Sequence, residues 1–129
     1  SEYFLRLPSE DAGPDDAATG QDLLDTLHEH EHECVGLAAN MIGVRKRIIC
    51  VKDGNRTLLM YNPQILEQVN AYQTTEGCLS LTGERPCTRY RRIKVEYLDE
   101  NFVHRIKNFS GYTAEIIQHE IDHCCGIVI

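Results

Sequence analysis

Apolar and polar positions follow a helical period near the start of the chain. Apolar side chains recur within one stretch at helical spacing, at Leu23, Leu24 and Leu27. This spacing predicts a first helix, capped by Thr19 or Asp22, that ends near residues 34–36, where a glycine can terminate it. Residues 1–20 carry proline and glycine among acids and alanines and have little to bury, so we expect them to form a mobile lead-in.

The middle of the chain has the apolar content and alternation of strands. We expect five strands, over residues 47–52, 57–62, 65–69, 91–98 and 102–109. Asp53-Gly54 is a typical hairpin turn between the first two strands. Pro63 predicts a break between the second strand and the third, because proline cannot donate to the hydrogen bonds of a sheet.

A helical period with one apolar stripe returns near the end of the chain. Ser110 or Thr113 can cap this last helix, and Gly126 can end it. Residues 127–129 are apolar and predict a short final strand. The order of the elements predicts a single α+β domain over residues 1–129, with antiparallel strands packed around the C-terminal helix.

The composition is that of a globular protein, and it limits the partners to be expected. The chain has 129 residues, 42% of them hydrophobic and 26% charged. It contains no run of about 18 apolar residues, so we expect no contact with a membrane. Its net charge of −7 opposes binding to duplex nucleic acid, which requires a basic surface. The basic residues at 45–47 and at 89, 91 and 92 are interpreted as solvated strand ends.

The cysteines and the first residues bear on the cellular compartment. Residues 1–4 lack the basic flank and apolar stretch of a signal peptide, and a chain of 129 residues can fold without disulfides. We therefore expect a reducing cytoplasm, where the six cysteines are core residues, metal ligands or nucleophiles. The alternating His and Glu residues at 28–33 are interpreted as a solvated acidic helix end rather than a metal site.

The strongest chemical signal is the segment His119-Glu120-Ile121-Asp122-His123 on the predicted last helix. Residues four apart share a helix face, so both imidazoles can bind one metal ion. Glu120 can then act as a general base on a water held by the metal. Two surface histidines would give the same pattern by chance, so the interpretation depends on a third ligand.

The third ligand has to come from upstream in the sequence. Zinc proteases with this pattern take it downstream, but the position six beyond His123 is Ile129, and too few residues follow for a more distant glutamate. Upstream candidates are the histidines of the first helix, Cys34, Cys50, Cys78, Cys87 and His104. Cys78 is favoured over a buried structural cysteine, because Gly77 lets the backbone come close and a thiolate suits iron(II) or zinc. A closed structural site would need a fourth ligand, for which His104 is the best candidate.

Three segments together resemble the motifs of the peptide deformylase family, in order and with suitable spacing. They are Gly36-Leu37-Ala38-Ala39, Glu76-Gly77-Cys78-Leu79-Ser80 and Gln118-His119-Glu120-Ile121-Asp122-His123. The resemblance implies a metal-dependent hydrolase that removes the N-formyl group from nascent chains beginning with formyl-methionine. It implies one divalent ion, Fe²⁺ in the cell and Ni²⁺ or Zn²⁺ as purified. The implied ligands are Cys78, His119 and His123.

The resemblance also implies how a substrate is held. Glu120 would be the acid and base, and the backbone N–H of Leu79 would donate to the developing oxyanion. Gly36 and Gly77 would line the cleft. The peptide would lie extended beside a strand, with an apolar pocket for the methionine side chain. The partners implied are formyl-methionyl N-termini, with at most transient contact to the ribosome.

The first motif departs from the family, since Cys34 and Met41 stand where Gly and Gln are usual. The Gln amide helps to hold the formyl oxygen, and Met has no donor. Loss of one oxyanion donor typically costs about 10²–10³ in rate. We therefore expect a divergent deformylase with reduced or altered activity. The alternative is a relative without turnover that keeps the metal and binds N-termini or another N-acyl peptide. Asn40 also carries an amide, but in an extended segment it should point away.

Overall fold

Five antiparallel strands form one sheet, in which each strand pairs with its neighbours in the sequence. The computed structural model describes residues 1–78 and 81–128, and at 78, 81 and 82 it describes the backbone only. The strands are Gly36–Ala38 (β1), Ile48–Asp53 (β2), Arg56–Cys78 (β3), Leu81–Leu98 (β4) and His104–Ser110 (β5). The α-helices are Glu2–Leu5 (α1), Ala17–Glu29 (α2) and Gly111–Cys124 (α3), and Pro14–Asp16 and Ala39–Ile42 form short 3₁₀ turns. The α+β prediction is confirmed.

The predicted break at Pro63 is wrong, because β3 continues through it. The register with β4 shifts between Tyr61 and Gln64, and Asn62 adopts a positive φ of 54° there. Such a bulge takes the proline out of the hydrogen-bond ladder and lets the strand resume. Residues predicted as two strands are therefore one long strand. The turn at Asp53-Gly54 is as predicted, with Gly54 at a φ of 61°.

The core lies on both faces of the inner strands, because β2 is buried on both sides. Alternate residues of β2 belong to two different clusters. One cluster joins the sheet to α3, and its members include Ile49, Val51, Met60, Ile93, Val95 and Ile117. The other joins the sheet to α2, and its members include Leu23, Leu27, Leu37, Ile48, Cys50 and Tyr61. A continuous apolar run such as Ile48–Val51 is typical of a strand covered on both faces.

Helix α3 is fixed to the sheet by polar contacts as well as by packing. The Gln118 side chain accepts from the backbone N of Tyr90 at 2.8 Å and donates to the Tyr90 carbonyl at 2.8 Å. After the helix, the backbone N of Ile127 donates to the Asp122 carbonyl at 2.9 Å. Residues 127–128 therefore fold back onto the helix end, and the strand predicted there is wrong. Ile129 lies outside the described residues.

The segment before α2 is attached to the domain rather than lacking buried contacts. The backbone N of Ser9 donates to the Cys124 carbonyl at 2.8 Å, and the backbone N of Arg47 donates to Glu10 at 2.7 Å. Ala12 is buried, so the expectation of little to bury is wrong here. Helix α2 ends at Glu29, earlier than predicted, because Gly36 belongs to a strand instead of a helix end. Among the described residues, no helix is both long and apolar enough to cross a membrane.

Candidate active site

Helix α3 brings three chemistry-bearing side chains together on its buried face. The ligand atoms of His119, Glu120 and His123 all lie within 4.8 Å of one another. The two imidazole rings meet edge to face, with 4.6 Å between centroids. His119 is 9% exposed, and Glu120 and His123 are each 4% exposed. The helical spacing therefore places these three residues together as the sequence predicts.

A buried ionic network orients His119. Its Nδ1 lies 2.7 Å from Glu76 Oε1. The guanidinium of Arg89 donates to both oxygens of Glu76, at 3.0 and 3.1 Å from Nε and at 2.7 Å from Nη2. The other end of Arg89 donates to Asp122 Oδ2 at 2.6 Å. We call Glu76, Arg89, His119 and Asp122 the Arg89 network.

The charges of this network are fixed by its own hydrogen bonds. Burial alone would raise the pKa of Glu76, but hydrogen bonds from His119 and Arg89 outweigh it and hold that pKa well below its usual range. Burial likewise opposes the charge on Arg89, and its carboxylate partners raise its pKa above the ordinary value. Because an ionised carboxylate only accepts hydrogen bonds, His119 carries its proton on Nδ1. A neutral ring then has its lone pair on Nε2.

Arg89 corrects the expectation of a solvated strand end. Its side chain is 5% exposed, because it is the shared cation of two carboxylates. Glu76 and Asp122 both lie within the motif segments of the sequence, and neither was assigned a role there. One signal could have found Arg89, since it is in phase along β4 with the inward-facing Ile93 and Val95.

Gly36 lies against the catalytic face of α3. A Cβ added there would be 2.6 Å from Ile116 Cγ2 and 3.1 Å from Glu120 Oε2. Only glycine permits this approach of β1 to the helix. The other oxygen of Glu120, Oε1, lies 3.3 Å from His123 Nδ1. Glu120 is therefore confined between the edge strand and the second imidazole.

A cavity of about 240 Å³ opens beside these residues. His119 and Glu120 form part of its wall, and so does Gly77, which was expected to line a substrate cleft. The remaining lining residues are Val35, Thr75, Glu76, Glu84, Tyr112, Glu115 and Ile116. The site thus has room for a small-molecule or peptide group directly beside His119 and Glu120.

The segment with Asn40 and Met41 differs from the extended chain that was expected. Residues Ala39–Ile42 form a 3₁₀ turn, which directs the Asn40 side chain inward. Its Nδ2 donates to the His123 carbonyl at 2.9 Å, so this amide supports the end of helix α3 instead of pointing away. Met41 is half-buried and borders a small void that also touches Leu5 and His123.

Cys78, Leu79 and His104 are the remaining residues that the sequence placed at or near the site. Cys78 ends β3, where its backbone pairs with Leu81, and its side chain is outside what the structure describes. Leu79 lies outside the described residues. Within residues 1–77 and 83–128, His119, Glu120 and His123 are the only cluster able to hold a metal. His104, the candidate fourth ligand, lies on the exposed strand β5 with its Nε2 2.8 Å from Glu96, so that expectation is wrong.

The comparison with known proteins decides the family. The sequence profile of a family described as polypeptide deformylase matches residues 4–129. The chain belongs to the polypeptide deformylase family. It is 51% identical over 126 residues to a peptide deformylase of Clostridium beijerinckii, covering 98% of this chain and 93% of that protein. It is 38% identical over 111 residues to peptide deformylase 1 of Clostridium perfringens, covering 84% and 74%.

Solved deformylase structures share the fold. The crystal structure of the Thermotoga maritima peptide deformylase superposes with a TM-score of 0.87 at 30% identity, covering 97% of this chain and 87% of that one. The crystal structure of the Thermus thermophilus peptide deformylase gives 0.85 at 35% identity, covering 97% and 77%. This polypeptide deformylase is therefore an enzyme that removes the N-formyl group from nascent polypeptides, and the expected family and activity are confirmed.

Proposed function

We propose that this deformylase holds a divalent metal, Fe²⁺ in the cell, through Cys78, His119 and His123, with Glu120 as the proton carrier. The observation that carries the proposal is the cluster of His119, Glu120 and His123, whose ligand atoms lie within 4.8 Å of one another in a buried position. A helix face with two imidazoles and a carboxylate, buried next to a substrate-sized cavity, is the expected arrangement for metal-assisted hydrolysis.

The residues present fit a metal. The Glu76 hydrogen bond fixes the His119 ring and makes its other nitrogen more basic, which strengthens metal binding. Cys78 comes two residues after Glu76, so the chain itself brings position 78 to the site. A thiolate and two imidazoles suit iron(II), nickel or zinc. When bound, the ion polarises the formyl carbonyl and lowers the pKa of a water toward ~7.

Glu120 is proposed to move the proton. Its carboxylate accepts a proton from the attacking water and returns it to the leaving amine. Gly36 and His123 confine this carboxylate on two sides, which holds it in one orientation. The backbone N–H of Leu79 is proposed to donate to the oxyanion that develops on the formyl oxygen.

The substrate is proposed to be a formyl-methionyl peptide that lies along the edge strand β1. This strand pairs with β2 on one side, so its other edge can add an extended peptide. A peptide deformylase of Acinetobacter baumannii, 30% identical to this chain, has been crystallised with Met-Ala-Ser bound. The cavity beside His119 and Glu120 is the proposed place for the first side chain.

The cytoplasm is the proposed compartment, because nascent formylated chains emerge there. A net charge of −7 opposes stable contact with the phosphates of ribosomal RNA, so the proposed ribosome contact is transient at most. A salt-resistant association of the protein with pelleted ribosomes would contradict this part of the proposal.

The direct test is turnover of a short formyl-Met peptide by protein loaded anaerobically with Fe²⁺ or Ni²⁺. Glu120→Ala is expected to lose about 10²–10⁴-fold in kcat while keeping one metal per chain. Glu33→Ala, at an exposed position on the surface, is the matched control and should keep full activity. Undiminished turnover by Glu120→Ala would contradict the proposed role of this carboxylate.

A second experiment tests the Met41 departure. Met41→Gln is expected to raise kcat, by up to about 10²–10³-fold, because the added amide can donate to the formyl oxygen. Met41 and His123 border one small void, which supports a position of this side chain near the site. An unchanged kcat in Met41→Gln would show that the missing amide does not limit this enzyme.

A further inference from the structure

The cavity beside the catalytic residues is not the apolar pocket that the family resemblance implies. One part of its wall is apolar and contains Val35, Tyr112 and Ile116. Another part is acidic and contains Glu76, Glu84 and Glu115, of which Glu115 belongs to the same helix as His119. Glu115 lies one helical turn before His119, so both side chains leave α3 on the same face. A substrate side chain in this cavity therefore meets a carboxyl group.

Glu115 lies at the edge of the Arg89 network, with Glu76 and Tyr72 as its polar neighbours. The Glu76 carboxylate already accepts from Arg89 and His119. Burial, and after it the neighbouring Glu76, raises the pKa of Glu115. Arg89 is engaged by Glu76 and Asp122, so its hydrogen bonds go to those two carboxylates.

Glu115 presents an acceptor to the cavity whether or not it is protonated. A carboxyl group has about four acceptor positions on its two oxygens, which is enough to leave one for a substrate group. A side chain that donates a hydrogen bond finds a partner here. A side chain that only accepts, such as a carboxylate, brings an unpaired polar group against another acceptor, which is costly in a confined site.

We propose that Glu115 is a specificity-determining residue that reads the first side chain of the formylated peptide. It favours a side chain with an amine over one with a carboxylate, within a pocket that also takes methionine. This inference rests on the proposed function, because it places the first side chain in the cavity next to His119 and Glu120. The class of ligand is an N-formyl peptide whose first residue is uncharged or cationic.

The test compares four formyl peptides that differ only in the first residue, which is Met, norleucine, Lys or Glu. The ratio of kcat/KM for Lys over Glu is expected to be about ten-fold or more in the wild-type enzyme. Glu115→Gln keeps the size of the side chain and should lower this ratio about ten-fold, because the amide both donates and accepts. Glu115→Leu should raise norleucine relative to Lys. Glu29→Gln removes an equal charge from the exposed face of α2 and should leave every ratio unchanged.

The outcomes separate this inference from the proposed function. Loss of turnover that is equal for all four peptides would show a structural role through Glu76 and would overturn the inference. Full turnover of formyl-Met with unchanged ratios would also overturn it, while leaving the proposed function in place. If the Glu115 variants do not fold, the wild-type enzyme still provides a test. Equal kcat/KM for the Glu and Lys peptides would overturn the inference about Glu115 and leave the proposed function in place. Failure of the loaded wild-type enzyme on formyl-Met would overturn the proposed function, and this inference with it.

Discussion

Two arginine–carboxylate clusters in this enzyme use the same chemistry in different surroundings. Arg89 on β4 has a side chain that is 5% exposed and joins Glu76 and Asp122. Arg105 on β5 has a side chain that is 48% exposed and donates to Asp99 at 2.9 Å. The first cluster lies behind His119, a proposed metal ligand, and the second closes the turn between two strands.

Burial makes the geometry of an ion pair more rigid and its loss more costly. A buried pair has lost water on all sides, so each charge depends on its partners, and the geometry becomes rigid. That rigidity reaches His119 through Glu76, whose oxygen lies 2.7 Å from Nδ1. The Arg105–Asp99 pair, in which only the arginine is exposed, acts locally instead. Asp99 accepts from the backbone N of Asn101 at 2.9 Å and of Val103 at 3.0 Å, which shapes the turn into β5.

Removing each arginine in turn tests whether burial sets the strength of the two clusters. Arg89→Met is expected to lower the free energy of unfolding by about 3–5 kcal/mol, because the buried Glu76 and the partly exposed Asp122 lose their shared cation. Arg105→Met is the matched variant, and water can replace its single carboxylate contact, so its loss should be far smaller. Denaturant unfolding of both proteins measures the contrast. Equal losses in the two variants would mean that burial does not set the difference.

The next largest effect is expected on metal affinity. Glu76→Gln keeps the size of the side chain but weakens the hold on His119, so the affinity for Ni²⁺ should fall about 10–100-fold. Glu96→Gln is the matched control, because Glu96 pairs with the exposed His104 at a similar distance of 2.8 Å. Competition with a coloured chelator measures both affinities. Equal affinities for wild type and Glu76→Gln would show that His119 needs no such support.

The smallest effect is expected in the pH dependence of the stability that Asp99 provides. Hydrogen bonds from the backbone N of Val103, and after them from Arg105, lower the pKa of Asp99. Its contribution to stability is therefore present above the unfolded pKa of about 3.9 and is lost as the pH falls through the folded value. The difference in Tm between wild type and Asp99→Asn should shrink between about pH 5 and pH 2. A difference that stays constant over this range would contradict the ionised role of Asp99.

Much of this fold could be predicted because its signals are local. The apolar run of β2, the Asp53-Gly54 turn and the helical period of α3 each depend on residues close in sequence. The continuity of β3 past Pro63 could not be predicted, because it depends on a bulge whose partner strand lies more than 30 residues away. Pairing with β4 decides whether such a strand stops or resumes.

The residues of the site also differ in whether a local signal or long-range packing brings them together. His119, Glu120 and His123 were found from their spacing on one helix, which places them together whatever else the chain does. The Arg89 network was not found, since Glu76, Arg89 and Asp122 meet only when β3, β4 and α3 pack together. Glu115 was missed for a related reason. A glutamate in the first turns of a helix is common in surface helices, so its sequence position does not mark it. Its role is suggested only by the folded structure, in which Glu115 lines the cavity.

The central claim is that Cys78, His119 and His123 together hold the metal. Metal-edge absorption of the nickel-loaded enzyme tests it most directly, because the spectrum counts sulfur and imidazole ligands separately. We predict one sulfur and two imidazole nitrogens in the wild-type enzyme, and loss of the sulfur in Cys78→Ser. A wild-type spectrum without sulfur, or a sulfur that persists in Cys78→Ser, would contradict the claim.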